Sequence, residues 1–193
     1  MDKRDEIIGI MFCLFAEKGY DASMSDIAKL AKIKVPSIYS HFASKDELVM
    51  LVVGEEINTY FEYIRSIIVE TRESNFNTRI EHFYRSTINY YKTDNRIRFW
   101  RNISLINNIE LRNRCRNLIL ENEHRNNEIY ATFFQNAVES GEIKANNLQG
   151  SMFLFFALIR GVLDVTFLVD STEMDMNNFA DLAWQAYWEG LKA

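Results

Sequence analysis

A short segment between residues 29 and 45 concentrates side chains that can contact nucleic acid. It contains four lysines and no aspartate or glutamate, which gives a local charge of +4. Lysines attract phosphates irrespective of base sequence, whereas hydroxyl, phenol and imidazole groups can also reach base edges. Taken alone, such a cluster is more often a solvated surface. Its role must therefore be inferred from the secondary-structure elements in which it lies. The lysines are Lys29, Lys32, Lys34 and Lys45, and the other polar groups are Ser37, Tyr39, Ser40 and His41.

The net charge of the whole chain, −5 over 193 residues, does not exclude a nucleic-acid partner. A partner responds to the local charge distribution and not to the total. One proline, seven glycines and 48% hydrophobic residues favour long helices over an all-β chain, which needs frequent turn residues. The composition therefore predicts an all-α protein.

The elements around the lysines follow the pattern of a helix-turn-helix. Apolar residues recur at helical spacing over residues 5–18, and Gly19 follows as a C-terminal cap. Ser23 with Asp26 forms a capping box before a short helix, and Ser44 with Glu47 forms another. Pro36 is compatible with the first turn of the helix between them. Three short helices and a capped fourth one therefore predict a DNA-binding unit.

The helix that begins near Pro36 has an inner and an outer face. Ile38 and Phe42 are expected to point inward, and Lys45 to lie at the N-terminus of the fourth helix, where a phosphate can bind. The outer face is expected to present polar groups to base edges and phosphates. Its predicted members are Val35, Ser37, Ser40 and His41, with Tyr39 near the edge.

Residues 5–52 resemble the DNA-binding module of the tetracycline-repressor (TetR) family of bacterial regulators. The motifs LFAEKGY, M-x-x-IA, PSIYSHF and SKDEL occur in the family's order and nearly at its spacing. The resemblance implies a helix-turn-helix DNA-binding domain over residues 1–48. It also implies a larger helical domain over 49–193 that binds a small molecule and forms a homodimer.

The resemblance further implies which residues contact DNA. The sequence departs from the family at Lys34, where a small capping serine is frequent, so the cap is weaker and a phosphate contact is gained. It also departs at Lys32, where glycine is common, and strain of about 1 kcal/mol is expected there. The operator sequence therefore cannot be copied from a relative. The implied contacts are Ser25, Lys34, Val35, Pro36, Ser37, Tyr39, His41 and Lys45.

The sequence after residue 75 has no specific motif, but it is rich in aromatic residues. Each aromatic residue is individually more probable as core, and as a set they are compatible with an apolar ligand pocket. Arg160 and Asp164, four apart on an apolar helix, are expected to form a structural pair, within the helix or across a dimer, or to orient a polar ligand group. The candidate ligand residues are Phe83, Tyr90, Phe99, Trp100, Phe133, Phe156 and Arg160.

Several classes of function are disfavoured by the sequence. It has no G-x-S-x-G, phosphate loop or metal-ligand spacing, so we predict no catalytic residue, no cofactor and no metal. The apolar stretch over residues 152–169 contains Arg160 and Asp164, and a buried helix is expected in place of a membrane span.

Cys13 and Cys115 have no close partner in sequence and are expected in the core. With no secretory signal evident, a cytoplasmic setting is expected.

The sequence thus leads to the hypothesis of a ligand-responsive transcriptional repressor. Its homodimer would place two recognition helices about 34–36 Å apart on a palindromic duplex operator. A small lipophilic or aromatic effector, not identified by the sequence, would release the DNA. The alternative is a family member that organises DNA or binds another protein without a small-molecule ligand.

Overall fold

The computed structural model describes residues 2–92, 95–144, 148–168 and 176–193. Within these ranges the chain is helical and has no β-strand, apart from one isolated bridge between Ile143 and Lys192. The predicted all-α class is therefore confirmed. The helices are α1 (Lys3–Lys18), α2 (Met24–Leu30), α3 (Val35–Tyr39), α4 (Lys45–Glu70), α5 (Phe76–Lys92), α6 (Arg96–Ser104), α7 (Ile109–Glu139), α8 (Leu148–Leu168) and α9 (Met176–Leu191).

The chain divides into two compact units that each combine distant segments. Unit 1 contains residues 1–62 and 93–122, and unit 2 contains residues 63–92 and 123–193. Unit 1 therefore includes α6 and the first part of α7 in addition to the N-terminal helices. The division at residue 48 that the sequence suggested concerns function, and it stays a prediction.

The core of unit 1 forms around the apolar face of α1. Phe15 is buried, and the ring of Phe99 on α6 packs 5.3 Å from it and 5.0 Å from Phe12. Asn102, one turn further along α6, donates its amide N–H groups to the carbonyls of Phe15 at 2.8 Å and Ala16 at 3.1 Å. Both carbonyls lie in the last turn of α1, where the Phe15 oxygen also accepts a hydrogen bond from the Gly19 N–H. Helix α6 therefore both packs against α1 and caps it.

Unit 2 has a core of aromatic side chains from α5, α7, α8 and α9. The Phe83 ring lies 5.3 Å from Phe155, and the Tyr84 ring stacks 5.3 Å from Trp184. The Tyr84 hydroxyl donates to the carbonyl of Ala180 at 2.9 Å. The buried phenol thus has a hydrogen-bond partner, as a buried polar group requires. The aromatic residues join the helices of this unit into one core.

Helix α8 is the part of the described chain that most resembles a membrane span. By length and composition, residues Leu148–Val165 are apolar enough to cross a bilayer, with a mean hydropathy of 1.5 and 28% of the window buried. Phe155 is fully buried, whereas Phe153 and Leu154 are 74% and 60% exposed. One face of α8 therefore packs in unit 2, and its other face leaves large apolar side chains uncovered in the single chain.

The two cysteines occupy different environments. Cys115 is buried as expected, with its sulfur 3.5 Å from that of Met50, and desolvation raises the pKa of its thiol to about 11. Cys13 is exposed, so its expected core position is wrong. Cys13 lies between Met11 and Leu14 on α1. These two residues are on the buried face of the helix, whereas Cys13 is not.

The turn between α2 and α3 contains a lysine in a backbone conformation that favours glycine. Lys32 has a φ of +55°, and two hydrogen bonds close the end of α2: Ile33 N–H to Ala28 C=O at 3.0 Å and Lys32 N–H to Lys29 C=O at 3.4 Å. This 6→1 and 5→2 pair defines a Schellman motif. Gly141, with φ +74°, occupies the same position at the end of α7. The strain predicted at Lys32 therefore has a geometric basis.

We expect Lys32→Gly to stabilise the protein by about 1 kcal/mol, because a left-handed conformation costs a residue with a Cβ about 1–2 kcal/mol and glycine loses part of that gain as chain entropy. Gly141→Ala should destabilise it by a similar amount. Urea denaturation followed by circular dichroism measures both changes.

Lys29→Gly is the matched control, since Lys29 is also exposed but lies inside α2. Glycine in a helix interior is destabilising by about 1 kcal/mol. If Lys32→Gly lowers the urea concentration at the unfolding midpoint as Lys29→Gly does, the assignment of strain to Lys32 is wrong.

Candidate nucleic-acid interface

The start of α2 is fixed by a reciprocal capping box. The Ser23 hydroxyl accepts a hydrogen bond from the Asp26 N–H at 3.1 Å, and the Asp26 carboxylate accepts one from the Ser23 N–H at 3.1 Å. The bond from the Ser23 backbone lowers the pKa of the Asp26 carboxyl, and its side-chain bond adds to this. The predicted box is confirmed. It fixes the first turn of α2, from which Ser25 extends into solvent.

Helix α3 is anchored by one face and open to solvent on the other. Ile38 and Phe42 are completely buried, which confirms their predicted inward orientation. Lys34 occupies the N-cap position without a side-chain cap bond, and Pro36 lies in the first turn, both as expected. Val35 is half-buried, and the remaining predicted contacts on this helix and just after it are exposed: Pro36, Ser37, Tyr39 and His41.

Three of the four lysines are exposed, and the fourth is held against the protein. Lys29, Lys32 and Lys34 are exposed around the turn that leads into α3. The Lys45 ammonium lies 3.9 Å from the centre of the Tyr20 ring and donates to the Tyr20 carbonyl oxygen. Desolvation lowers the pKa of Lys45. Lys45 is thus packed against Tyr20.

Asp46 forms a polar junction that the sequence analysis missed. Its carboxylate accepts hydrogen bonds from the Tyr20 hydroxyl and from the Asn108 amide, the latter at 3.4 Å. The bond to Asp46 is the main reason that the pKa of the Tyr20 phenol rises to about 12, with desolvation second. The partners are 26 and 62 positions from Asp46 in sequence, and no local spacing pattern links groups so far apart.

The N-terminus of α4 carries the second predicted capping box in a modified form. The Ser44 hydroxyl accepts from the Glu47 N–H at 3.1 Å, as predicted. The Glu47 carboxylate reaches one residue further back than expected and accepts from the Ala43 N–H at 2.6 Å. The start of α4 is therefore defined by local bonds, and it places Lys45 and Asp46 in its first turn.

The seven candidate ligand residues do not form one cluster within a unit. Phe99 and Trp100 belong to unit 1, where Phe99 is 1% exposed against α1. The others belong to unit 2: Phe83, Tyr90, Phe133, Phe156 and Arg160. Within unit 2, Phe83 packs against the rings of Phe155 and Phe156, and Tyr90 stacks 5.1 Å from Tyr63. Most of these rings fill core space, and their role in ligand binding stays a prediction.

One cavity in unit 2 includes a candidate ligand residue. It has a volume of about 420 Å³, and Phe133 contributes its ring to the wall. Arg160 is exposed on α8 and is not among the lining residues. The lining consists of Ile68, Arg79, Glu128, Ile129, Thr132, Phe133 and Asn136.

Comparison with known proteins gives a family match in the N-terminal region and a partial match to a curated relative. Residues 13–51 match the model of the family described as bacterial regulatory proteins, tetR family. Over 67 residues the chain is 39% identical to the biofilm operon icaADBC HTH-type negative transcriptional regulator IcaR of Staphylococcus aureus, strain Newman. That alignment covers 34% of each protein, so the chain matches about a third of the length of this curated relative.

Solved structures match over nearly the whole chain. A TetR-family transcriptional regulator from Mesorhizobium loti superposes with a TM-score of 0.76 at 22% identity, covering 99% of this chain and 97% of that one. The Bacillus subtilis regulator FadR, solved in complex with stearoyl-CoA, gives a TM-score of 0.70 at 19% identity, with coverage of 96% and 98%. At these identities the likeness concerns the fold.

The Tyr20–Asp46 bond gives a prediction about proton binding. Asp46→Asn should lower the pKa of Tyr20 from about 12 toward the ordinary value of 10, because the charged acceptor that stabilises the protonated phenol is lost. Since the raised pKa means that the folded state holds its proton longer, stability from this bond is present below pH 10 and decreases as the pH rises through 12. Tyrosine ¹³Cζ chemical shifts measured against pH report the change.

Asp5→Asn serves as the control, since Asp5 is exposed on α1. It should leave the Tyr20 titration unchanged. An unaltered Tyr20 pKa in folded Asp46→Asn protein would contradict the assigned cause.

Proposed function

We propose that the chain is a TetR-family regulator, and that it is a cytoplasmic, homodimeric repressor that leaves its operator when a small molecule binds. The match of residues 13–51 to the tetR family model and the relative described as a transcriptional regulator support DNA binding and a role in transcription. The finer proposal concerns how it binds duplex DNA, how it pairs and what relieves repression. A relative over a third of the chain is itself described as a negative transcriptional regulator, which supports repression.

The observation that carries the proposal is the exposed surface of α3 on a buried anchor. Ile38 and Phe42 fix the helix, while Ser37, Tyr39 and His41 face solvent without a charge that would repel DNA. The proposed base-reading residues are Val35, Pro36, Ser37, Tyr39 and His41, with Ser25 on α2 beside them. Side chains with hydroxyl and ring groups at this position can hydrogen-bond to base edges in the major groove.

The proposed phosphate contacts surround that surface. Lys34 is exposed at the N-cap of α3, and Lys29 and Lys32 are exposed just before it. Lys45, at the N-terminus of α4, is a further proposed phosphate contact. Its ammonium would turn from the Tyr20 carbonyl toward the phosphate. The electrostatic gain is repeated in a dimer, because each subunit supplies the same lysines.

Dimerisation through α8 and α9 is supported by their exposed apolar residues. Phe153 and Leu154 on α8 and Leu182 on α9 are 74%, 60% and 56% exposed in the single chain. Large apolar side chains gathered on a surface mark an interface more often than a free surface. Two copies of this face would pair two recognition helices about 34–36 Å apart, the spacing that a palindromic operator requires.

Release by a small molecule is proposed on the basis of the helical C-terminal region. Its fold matches that of a FadR solved with stearoyl-CoA, so a protein of this architecture accommodates a ligand with a long acyl chain. The candidate residues for a lipophilic or aromatic effector here are Phe83, Tyr90, Phe99, Trp100, Phe133, Phe156 and Arg160. An effector must favour the state that does not bind DNA, and a coupling of about 1–3 kcal/mol is typical.

DNA binding can be tested with the purified full chain and a duplex selected from a random library. We expect a palindromic site, with affinity falling about 10³–10⁵-fold between 50 and 200 mM salt if a dimer neutralises about 6–10 phosphates. Lys34→Ala should weaken binding to all sequences similarly and reduce the salt slope by about 1 per subunit. Fluorescence anisotropy at several salt concentrations measures both effects.

The matched control is Lys144→Ala, an exposed lysine of unit 2. It should retain the affinity and salt slope of the unaltered protein. Selection of no sequence above the random background, or equal losses in both lysine variants, would overturn the proposed interface.

A further inference from the structure

The cavity of unit 2 lies between three helices and has a mixed chemical lining. Ile68 comes from the last turns of α4, Arg79 from the first turn of α5, and the remaining lining residues from α7. Its volume of about 420 Å³ is within the range of small-molecule sites, about 300–1,000 Å³. The α7 residues share one face of the helix because they are spaced one and four positions apart: Glu128, Ile129, Thr132, Phe133 and Asn136.

Arg79 is held in this cavity by its flat face. The central carbon of its guanidinium lies 4.6 Å from the centre of the Phe133 ring, and Phe133 is itself braced by Phe76 at 4.9 Å. Stacking of a guanidinium on an aromatic face fixes its plane and leaves its N–H edge for hydrogen bonds. The ring therefore orients Arg79 as a preformed donor.

The Nε–H group of Arg79 lacks an acceptor. Its Nε is buried without a hydrogen-bond partner, and no carboxylate lies within 4.0 Å of the guanidinium among the described residues. Arg85, on the same helix, differs, because it pairs with Glu81 at 2.8 Å and with Asp181 at 2.6 Å. Because a buried donor without an acceptor is destabilising, a ligand that brings an acceptor to this group would bind with a favourable contribution from the new hydrogen bond.

The rest of the lining limits what the acceptor can be. Ile68, Ile129 and Phe133 offer apolar surface beside the guanidinium, which suits a ligand with a hydrocarbon body. Glu128 is exposed at the same cavity and carries a negative charge. It disfavours a ligand with a second anionic group, since like charges in a confined site repel. A ligand with one carboxylate on an apolar body supplies the acceptor for Arg79, fits the apolar lining and avoids a second negative charge near Glu128.

We propose that this cavity binds an amphipathic organic monocarboxylate. The carboxylate oxygens accept hydrogen bonds from the Arg79 edge, and the hydrocarbon part lies along Ile68, Ile129 and the rim of Phe133. Arg–carboxylate pairs of this kind are among the stronger polar contacts in proteins. The site shares only Phe133 with the proposed effector residues, and its occupancy can be measured without DNA.

Isothermal titration calorimetry on the full chain without DNA tests the site with octanoate. We expect octanoate to bind with one site per chain, and 1-octanol, which has the same carbon chain without the charge, to bind at least tenfold more weakly. Octanedioate should also bind at least tenfold more weakly than octanoate. Glu128→Gln should reduce the difference in affinity between octanoate and octanedioate, because it removes the negative charge that repels the second carboxylate.

Arg79→Met tests the anchor, since methionine keeps an unbranched side chain over the Phe133 ring without the charge. We expect it to weaken octanoate binding about ten- to a hundredfold and to leave 1-octanol binding within about twofold. Arg72→Met is the matched control, because Arg72 is exposed, pairs with Glu73 and does not line the cavity. It should bind octanoate as the unaltered protein does.

Two further variants keep the test decisive. If Arg79→Met does not fold, as judged by circular dichroism, Arg79→Lys replaces it, and the loss of the planar donor edge should still weaken octanoate binding severalfold. Ile129→Trp should abolish binding by filling the cavity. The proposal is overturned if octanoate does not bind, if it binds Arg79→Met and Arg72→Met equally, or if Arg160→Met and not Arg79→Met removes binding.

Discussion

The presentation of α3 depends on the burial of two side chains, Ile38 and Phe42. A helix of five residues does not persist alone in water, because nucleation costs more than so few hydrogen bonds return. The apolar anchors, completely buried in unit 1, supply the stability that the helix lacks. The exposed polar face therefore has a defined orientation only as long as the core beneath it is intact.

That core extends beyond the N-terminal motif. Phe99 fills the space beside Phe12 and Phe15, and Asn102 satisfies two carbonyls at the end of α1. Removal of α6 would expose the Phe12 and Phe15 rings and take away the hydrogen bonds from Asn102 to the two carbonyls. The proposed DNA-facing surface thus lies within residues 1–48, while its packing includes contributions from α6, some fifty residues later. A change that displaced α6 would therefore first weaken the packing and capping of α1.

The parts of the site that the sequence predicted are those that short-range physics determines. The capping boxes at Ser23 and Ser44 join residues three or four apart, and Ile38 and Phe42 follow helical spacing, so all could be identified without a structure. The Asp46 junction and the Asn102 cap join residues 26 to 87 positions apart. Such pairs depend on how helices meet, which periodicity does not specify. The cavity at Arg79 belongs to this second class, because its walls come from three separate helices.

The turn before α3 combines an unfavourable backbone conformation with a positive charge at one residue, Lys32. The same hydrogen-bonded motif ends α7, and there Gly141 adopts the left-handed conformation without steric cost. At the end of α2, Lys32 adopts it with a Cβ, which costs about 1–2 kcal/mol. In return the turn carries one more positive charge next to Lys29 and Lys34, and a dimer would carry two. Natural proteins tolerate strain where it serves a site, and the proposed phosphate contact gives this strained lysine such a function.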